Sequence, residues 1–142
     1  MFNPTRDQAR QFFFDTWRKY RDDAELNAME QTALHVIVEH PEYHALLEDE
    51  RALTRDYTPQ DGGLNPFLHL SLHLALEEQL SINQPPGIRG EYERLVSASG
   101  TAHDAKHVML ECLAETIWQA QRTGAPPDAH AYLETVAAKF RK

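Results

Sequence analysis

The stretch Asn65-Pro66-Phe67-Leu68-His69-Leu70-Ser71-Leu72-His73-Leu74-Ala75-Leu76-Glu77-Glu78-Gln79 decides the fold class. Asparagine followed by proline is a helix-start signature: the amide caps the first N–H groups, and proline suits the first helical position. At about 100° per residue, His69 and His73 share a face with Leu72, Leu76 and Leu80. The segment therefore predicts a helix reaching about Ser81, with Asn83-Gln84-Pro85-Pro86-Gly87 breaking it. Its apolar run is interrupted by Asn65, His69, Ser71 and His73 and falls short of the roughly 18 apolar residues of a membrane span.

The same punctuation recurs outward. Asn3-Pro4 predicts a helix to about Tyr20, with Ala9, Phe13, Trp17 and Tyr20 on one face. Phe12, Phe13, Phe14 and Trp17 are expected to pack in the core, and Arg6, Arg10, Arg18 and Lys19 to form a solvated face. A second helix is predicted from about Asn27 to His40, stopped by Pro41, with Met29, Ala33, Val36 and Ile37 as its apolar side. Pro41 can open a short helix through Leu47, and 48–63 reads as a polar loop. Past the Pro85-Pro86 break come a short helix near 91–98 and a long one opened by Thr101 with Asp104 and closed by Gly124. Asp128 caps a last helix carrying Leu133, Val136, Ala137 and Phe140 on one side. No segment shows the clean alternation of a strand. The expected fold is an all-α, single-domain helical bundle of five to seven helices spanning residues 1–142.

Composition narrows the function classes. A chain of 142 residues suits one domain, and 14 Lys and Arg against 22 Asp and Glu give a net charge of −8. That balance argues against nucleic acid and against an anionic membrane surface as partners. A single cysteine excludes an intramolecular disulfide and a multi-cysteine zinc site. The first ten residues lack the basic stretch and apolar core of a secretory signal, so a soluble, cytoplasmic protein is expected. No Gly-x-Ser-x-Gly elbow surrounds Ser71, and no phosphate-binding glycine loop is present. No reaction, partner or oligomeric state follows from these residues.

The eight histidines stand out. Three pairs lie four residues apart: His40 with His44, His69 with His73, and His103 with His107. Chance placement of eight histidines in such a chain gives roughly 0.4 such pairs. At this spacing two imidazoles sit on one helix face and can share a metal ion. His103 and His107 share a face with Leu110, Ala114, Ile117 and Trp118, so both rows are expected to point inward. Glu77 and Glu111 continue the rows, and Cys112 lies about 180° from His103, a poor position for a ligand. His40 projects with Ala33 and Ile37, whereas Pro41 disturbs the geometry of His44. His35 and Glu39 point away and suit a surface pair.

The expected site is a transition-metal centre formed by His69, His73, His103 and His107, with His40 or Glu111 completing it or replacing one ligand. Nitrogen donors favour zinc or iron over magnesium or calcium. The alternative is a non-catalytic interaction or structural protein whose histidines form a buried polar network. Haem ligation and pH sensing are further uses of such histidines.

The stretch from Asn65 to Gln79 also resembles a bacterial family designated domain of unknown function 1841. Three further stretches carry the likeness: Met1-Phe2-Asn3-Pro4, Glu39-His40-Pro41-Glu42-Tyr43-His44, and His103-Asp104-Ala105-Lys106-His107-Val108-Met109-Leu110-Glu111-Cys112. The resemblance spans nearly the whole chain and implies a small stand-alone bacterial protein, with no assigned activity to carry over. Within the family pattern Glu78-Gln79 is more characteristic than Glu77, which weighs against Glu77 as a ligand.

Overall fold

The computed structural model describes residues 6–54 and 65–140. The chain is all-α, and no strand occurs among the described residues. In order come α1 (Arg6–Arg21), α2 (Ala28–Val38), three short 3₁₀ turns (Pro41–Tyr43, Leu46–Glu48 and Glu50–Leu53), α3 (Pro66–Ile82), α4 (Ile88–Ser99), α5 (Ala102–Thr123) and α6 (Ala129–Ala138). No described helix is long and apolar enough to cross a membrane. Contacts sort the chain into two compact units, Met1–Leu74 and Ala75–Lys142, with the division falling inside α3. The expected Asn3-Pro4 helix start lies outside the described residues, as does most of the expected polar loop.

The first unit is built on aromatic and branched side chains that its helices present at helical spacing. Phe13, Phe14 and Trp17 of α1 join Ala33, Val36 and Ile37 of α2, Leu47 and Ala52 of the 3₁₀ turns, and Phe67, Leu70 and Leu74 of α3 in one apolar cluster. Phe14 stacks on Phe67 with ring centroids 6.1 Å apart. Burying one such ring completely is worth about 1.5–3 kcal/mol. α2 opens with a full capping box: Asn27 Oδ1 accepts from the Glu30 N–H at 2.8 Å, and Glu30 Oε1 accepts from the Asn27 N–H at 3.0 Å. Lys19 Nζ donates to the other Glu30 oxygen at 2.7 Å. The Asn27 N–H, followed by the Lys19 ammonium, holds the Glu30 carboxyl below its usual pKa. Glu30 is thus buried where Met29 was expected, and Met29 is exposed. The cap and the cation compensate the carboxylate for its lost water.

Arg10 departs further from expectation. It belongs to no solvated face: it is 1% exposed, on the same stripe of α1 as Phe13 and Trp17. Its NH1 group donates to the carbonyls of Ala52 and Leu53, both at 3.2 Å, and its guanidinium lies 4.9 Å from the Phe67 ring centroid. These acceptors are supplied by a 3₁₀ turn more than 40 residues away, in a stretch expected to be polar loop. Arg18 is exposed as expected, whereas Tyr20, expected on the apolar face, is about half exposed.

In the second unit α4, α5 and α6 pack on one another. Thr101 and Asp128 cap α5 and α6, accepting from the N–H groups of Asp104 and Ala131. α5 ends at Gly124, whose φ of 70° lies in the left-handed region open to glycine. The buried residues of α5 are Ala105, Met109, Leu110, Cys112 and Leu113. Trp118 is about half exposed, contrary to its expected inward position. On α6, Tyr132 and Val136 are buried, and the Tyr132 hydroxyl donates to Gln79 Oε1 at 2.8 Å, whereas Phe140 lies past the helix end and is exposed. Burial pushes the Tyr132 phenol and the Cys112 thiol up from their usual pKa values. Helix C-termini are closed by cations: Arg89 donates to the Leu80 and Ser81 carbonyls of α3. Arg94 donates to those of Val136, Ala137 and Lys139 at the end of α6.

Two consequences can be measured by urea unfolding. Replacing Arg10 with Met leaves two buried carbonyls short of a donor and is expected to cost about 1–3 kcal/mol. Arg18→Met, an exposed control, should stay within about 0.5 kcal/mol. An Arg10→Met variant as stable as wild type would refute the tie between α1 and the 3₁₀ turn. Glu30 has a folded pKa below its unfolded value, so its stabilisation is present at neutral pH and fades as pH falls through the ordinary carboxylate range, near 4.5. The stability gap between wild type and Glu30→Gln should therefore be largest near pH 7 and shrink below about pH 4.5.

Candidate metal centre

The site begins where α2 ends. In a regular helix the Ile37 carbonyl would accept from the N–H of residue 41, but residue 41 is proline and has none. The chain tightens instead, and the His40 N–H donates to the Ile37 carbonyl at 2.9 Å. This leaves the Val36 carbonyl to the His40 side chain, whose Nδ1 lies 2.7 Å from it. A carbonyl can only accept, so Nδ1 carries a proton, and in the neutral ring Nε2 is then the lone-pair nitrogen. His40 is 3% exposed.

α3 supplies the other imidazoles. Asn65 Oδ1 accepts from the N–H groups of Phe67 and Leu68, at 2.9 and 3.2 Å, and sets the helix going at Pro66. Phe67, Leu70 and Leu74 enter the apolar cluster, and on the adjoining face stand half-buried His69 and buried His73. Their Nε2 atoms face each other at 3.1 Å. Ring centroids of His40 lie 5.1 Å from His69 and 4.4 Å from His73, and those of His69 and His73 lie 4.8 Å apart. One ligand nitrogen from each of the three falls within 4.8 Å of the others. Imidazole nitrogens sharing a tetrahedral zinc sit roughly 3.3 Å apart, given bonds of about 2.0–2.1 Å. The His69 and His73 pair already has that separation, and a small closing movement of side chains completes the set. Tyr43 walls the group, its ring nearly parallel to that of His40 at 5.7 Å and edge-on to His69 at 6.0 Å.

The remaining expected residues fall elsewhere. His44, the spacing partner of His40, turns its Nε2 to the Ile37 carbonyl at 2.9 Å and lays its ring 4.3 Å from that of Trp17. His103 and His107 lie on the side of α5 that carries Leu110, turned away from buried Ala105, Met109 and Cys112. His103 is exposed, against its expected inward position, and His107 is half-buried with Nδ1 held at 2.8 Å by the His103 carbonyl. Glu111 is exposed. Glu77 is paired with Lys106 at 2.6 Å, and His35 with Glu39 at 2.9 Å on the surface of α2.

The spacing of the histidines left two features of the site hidden: the carbonyl that selects the His40 tautomer, and the Tyr43 wall. The signal for the first was present in the His40-Pro41 junction, since a proline ending a helix always leaves carbonyls in want of donors. Metal-ligating histidines commonly donate their second ring N–H to a backbone carbonyl, which orients the ring and raises its basicity. His40 has that arrangement. A long-range ¹H–¹⁵N spectrum of the metal-free protein should show His40 protonated at Nδ1 and bare at Nε2. A ring protonated at Nε2 alone would contradict this assignment.

A family model described as Domain of unknown function (DUF1841) matches residues 5–138. No curated protein and no solved structure matches the chain.

Proposed function

The chain belongs to the DUF1841 family, and from its histidine group we propose that it binds a transition-metal ion, zinc or iron, through His40, His69 and His73. The observation that carries this is the grouping of three imidazoles, two of them buried, around a common point, with the His40 tautomer already set for ligation. One cation can take a lone pair from each of three neutral imidazoles at once. Neutral nitrogen donors select zinc or iron over magnesium and calcium.

Exposed His103 and Glu111 are left out of the set. A three-nitrogen site with an open position would lower the pKa of a bound water towards neutrality, which suits hydrolysis or group transfer.

One observation favours a second reading. Nε2 atoms 3.1 Å apart are also what an N–H···N hydrogen bond between His69 and His73 would give, in a metal-free polar network.

Elemental analysis of untagged protein, purified without chelator, separates the two. Near-stoichiometric zinc or iron is expected, and the His69→Ala/His73→Ala double variant should lose it while keeping its helical circular dichroism. Saturating metal at about 100 times Kd should add roughly 2.7 kcal/mol to unfolding, and chelator should remove that increment. Metal far below stoichiometry, with no uptake on reconstitution, would overturn the metal reading in favour of the polar network.

A further inference from the structure

We propose that His44 is a positioning residue for the metal ligand His40, and not a ligand; this rests on the metal-binding reading above. His44 makes two contacts that fix its ring. Its Nε2 lies 2.9 Å from the Ile37 carbonyl, and its face lies 4.3 Å from the Trp17 ring, tilted by 30°. The carbonyl accepts, so His44 Nε2 carries a proton, and His44 is not among the histidines whose ligand nitrogens come together.

The Ile37 carbonyl is the acceptor that also receives the His40 backbone N–H, at 2.9 Å. One residue earlier, the Val36 carbonyl receives His40 Nδ1 at 2.7 Å. The side chain of residue 44 therefore reaches back seven residues and clamps the peptide on which His40 is hung. Trp17 supplies the back wall from α1, its indole held in turn by Glu48 Oε2 at 3.0 Å. The 3₁₀ turn Pro41–Tyr43 is thereby tied to the end of α2 at both of its ends: by the His40 N–H before it and the His44 ring after it. Loss of the His44 contact frees the Ile37 peptide to rotate, and with it the direction of His40 Nε2.

The test is a pair of variants, His44→Ala and His44→Gln, both checked for wild-type circular dichroism. A glutamine amide can donate to the Ile37 carbonyl but is a poor substitute for an imidazole on a metal. Zinc affinity by competition with a chromophoric chelator is expected to fall about 10- to 100-fold in His44→Ala, the usual cost of losing a group that orients a ligand, and to recover in His44→Gln. The visible d–d spectrum of the cobalt(II) form should match wild type in His44→Gln.

Wild-type affinity in His44→Ala would overturn the proposal. So would equal loss in both variants with an altered cobalt spectrum, which would make His44 a ligand. A metal-independent readout keeps the positioning role separable from the metal reading. In metal-free protein the ¹⁵N pattern of His40 should lose its Nδ1–H form in His44→Ala and keep it in His44→Gln. An unchanged pattern in His44→Ala overturns the positioning role. A changed pattern in a protein that takes up no metal supports that role and overturns the metal reading alone.

Discussion

Proline at position 41 removes the one N–H that the Ile37 carbonyl would have accepted, and the arrangement of the first unit's polar groups follows from how that loss is made good. Buried carbonyls must find donors, at a cost of about 1–3 kcal/mol each if they do not. The Ile37 carbonyl takes the His40 N–H and the His44 ring, and the Val36 carbonyl takes the His40 ring. Two histidines thus finish a helix whose own backbone cannot. The same act gives them opposite roles: His40 is protonated at Nδ1 and keeps Nε2 for ligation, while His44 spends Nε2 on the helix end. Identical side chains four residues apart are differentiated by which nitrogen the backbone claims.

The other helix ends close by the same principle with different chemistry. Arg89 covers the last carbonyls of α3, and Arg94 those of α6. At those ends a permanent cation complements the helix dipole. At the end of α2 the donors are neutral imidazoles, which leave a lone pair on the far side of the ring. An arginine at position 40 would cap the helix at least as well and bring no ligand. A histidine there satisfies the carbonyl and offers Nε2 to a neighbour, so the cap and the site are one structural solution.

The fold was legible because its signals are local. Asn27, Asn65, Thr101 and Asp128 cap the helices they announce, and Gly124 ends α5 where its backbone freedom is needed. What was not legible depends on contacts distant in sequence. Arg10 looks like a surface residue until a 3₁₀ turn at Glu50–Leu53 supplies its carbonyls. Of the inward face expected for α5, Leu110 is buried, but Ala114 and Trp118 are exposed, because the histidines themselves were read as marking that face and the burial extends instead through Ala105, Met109 and Cys112. In the site, His69 and His73 were visible as a row on one helix. The weight of His40 was not, since periodicity breaks down at a proline and only the three-dimensional path of the chain brings the end of α2 to the start of α3.

The donor set bears on the chemistry such a site can support. Di-iron helical bundles depend on carboxylates that bridge and neutralise two ions. The carboxylates on the histidine rows and beside them in sequence are committed or exposed: Glu39 pairs with His35, Glu77 with Lys106, and Glu111 is exposed. Three neutral imidazoles would leave the full charge of a divalent ion uncompensated by its first ligands. The electrostatic consequence is a strong Lewis acid, whose charge falls on whatever occupies the remaining position. A site of this composition is better matched to activating a water or polarising an anionic group than to the oxygen chemistry of a carboxylate-bridged pair.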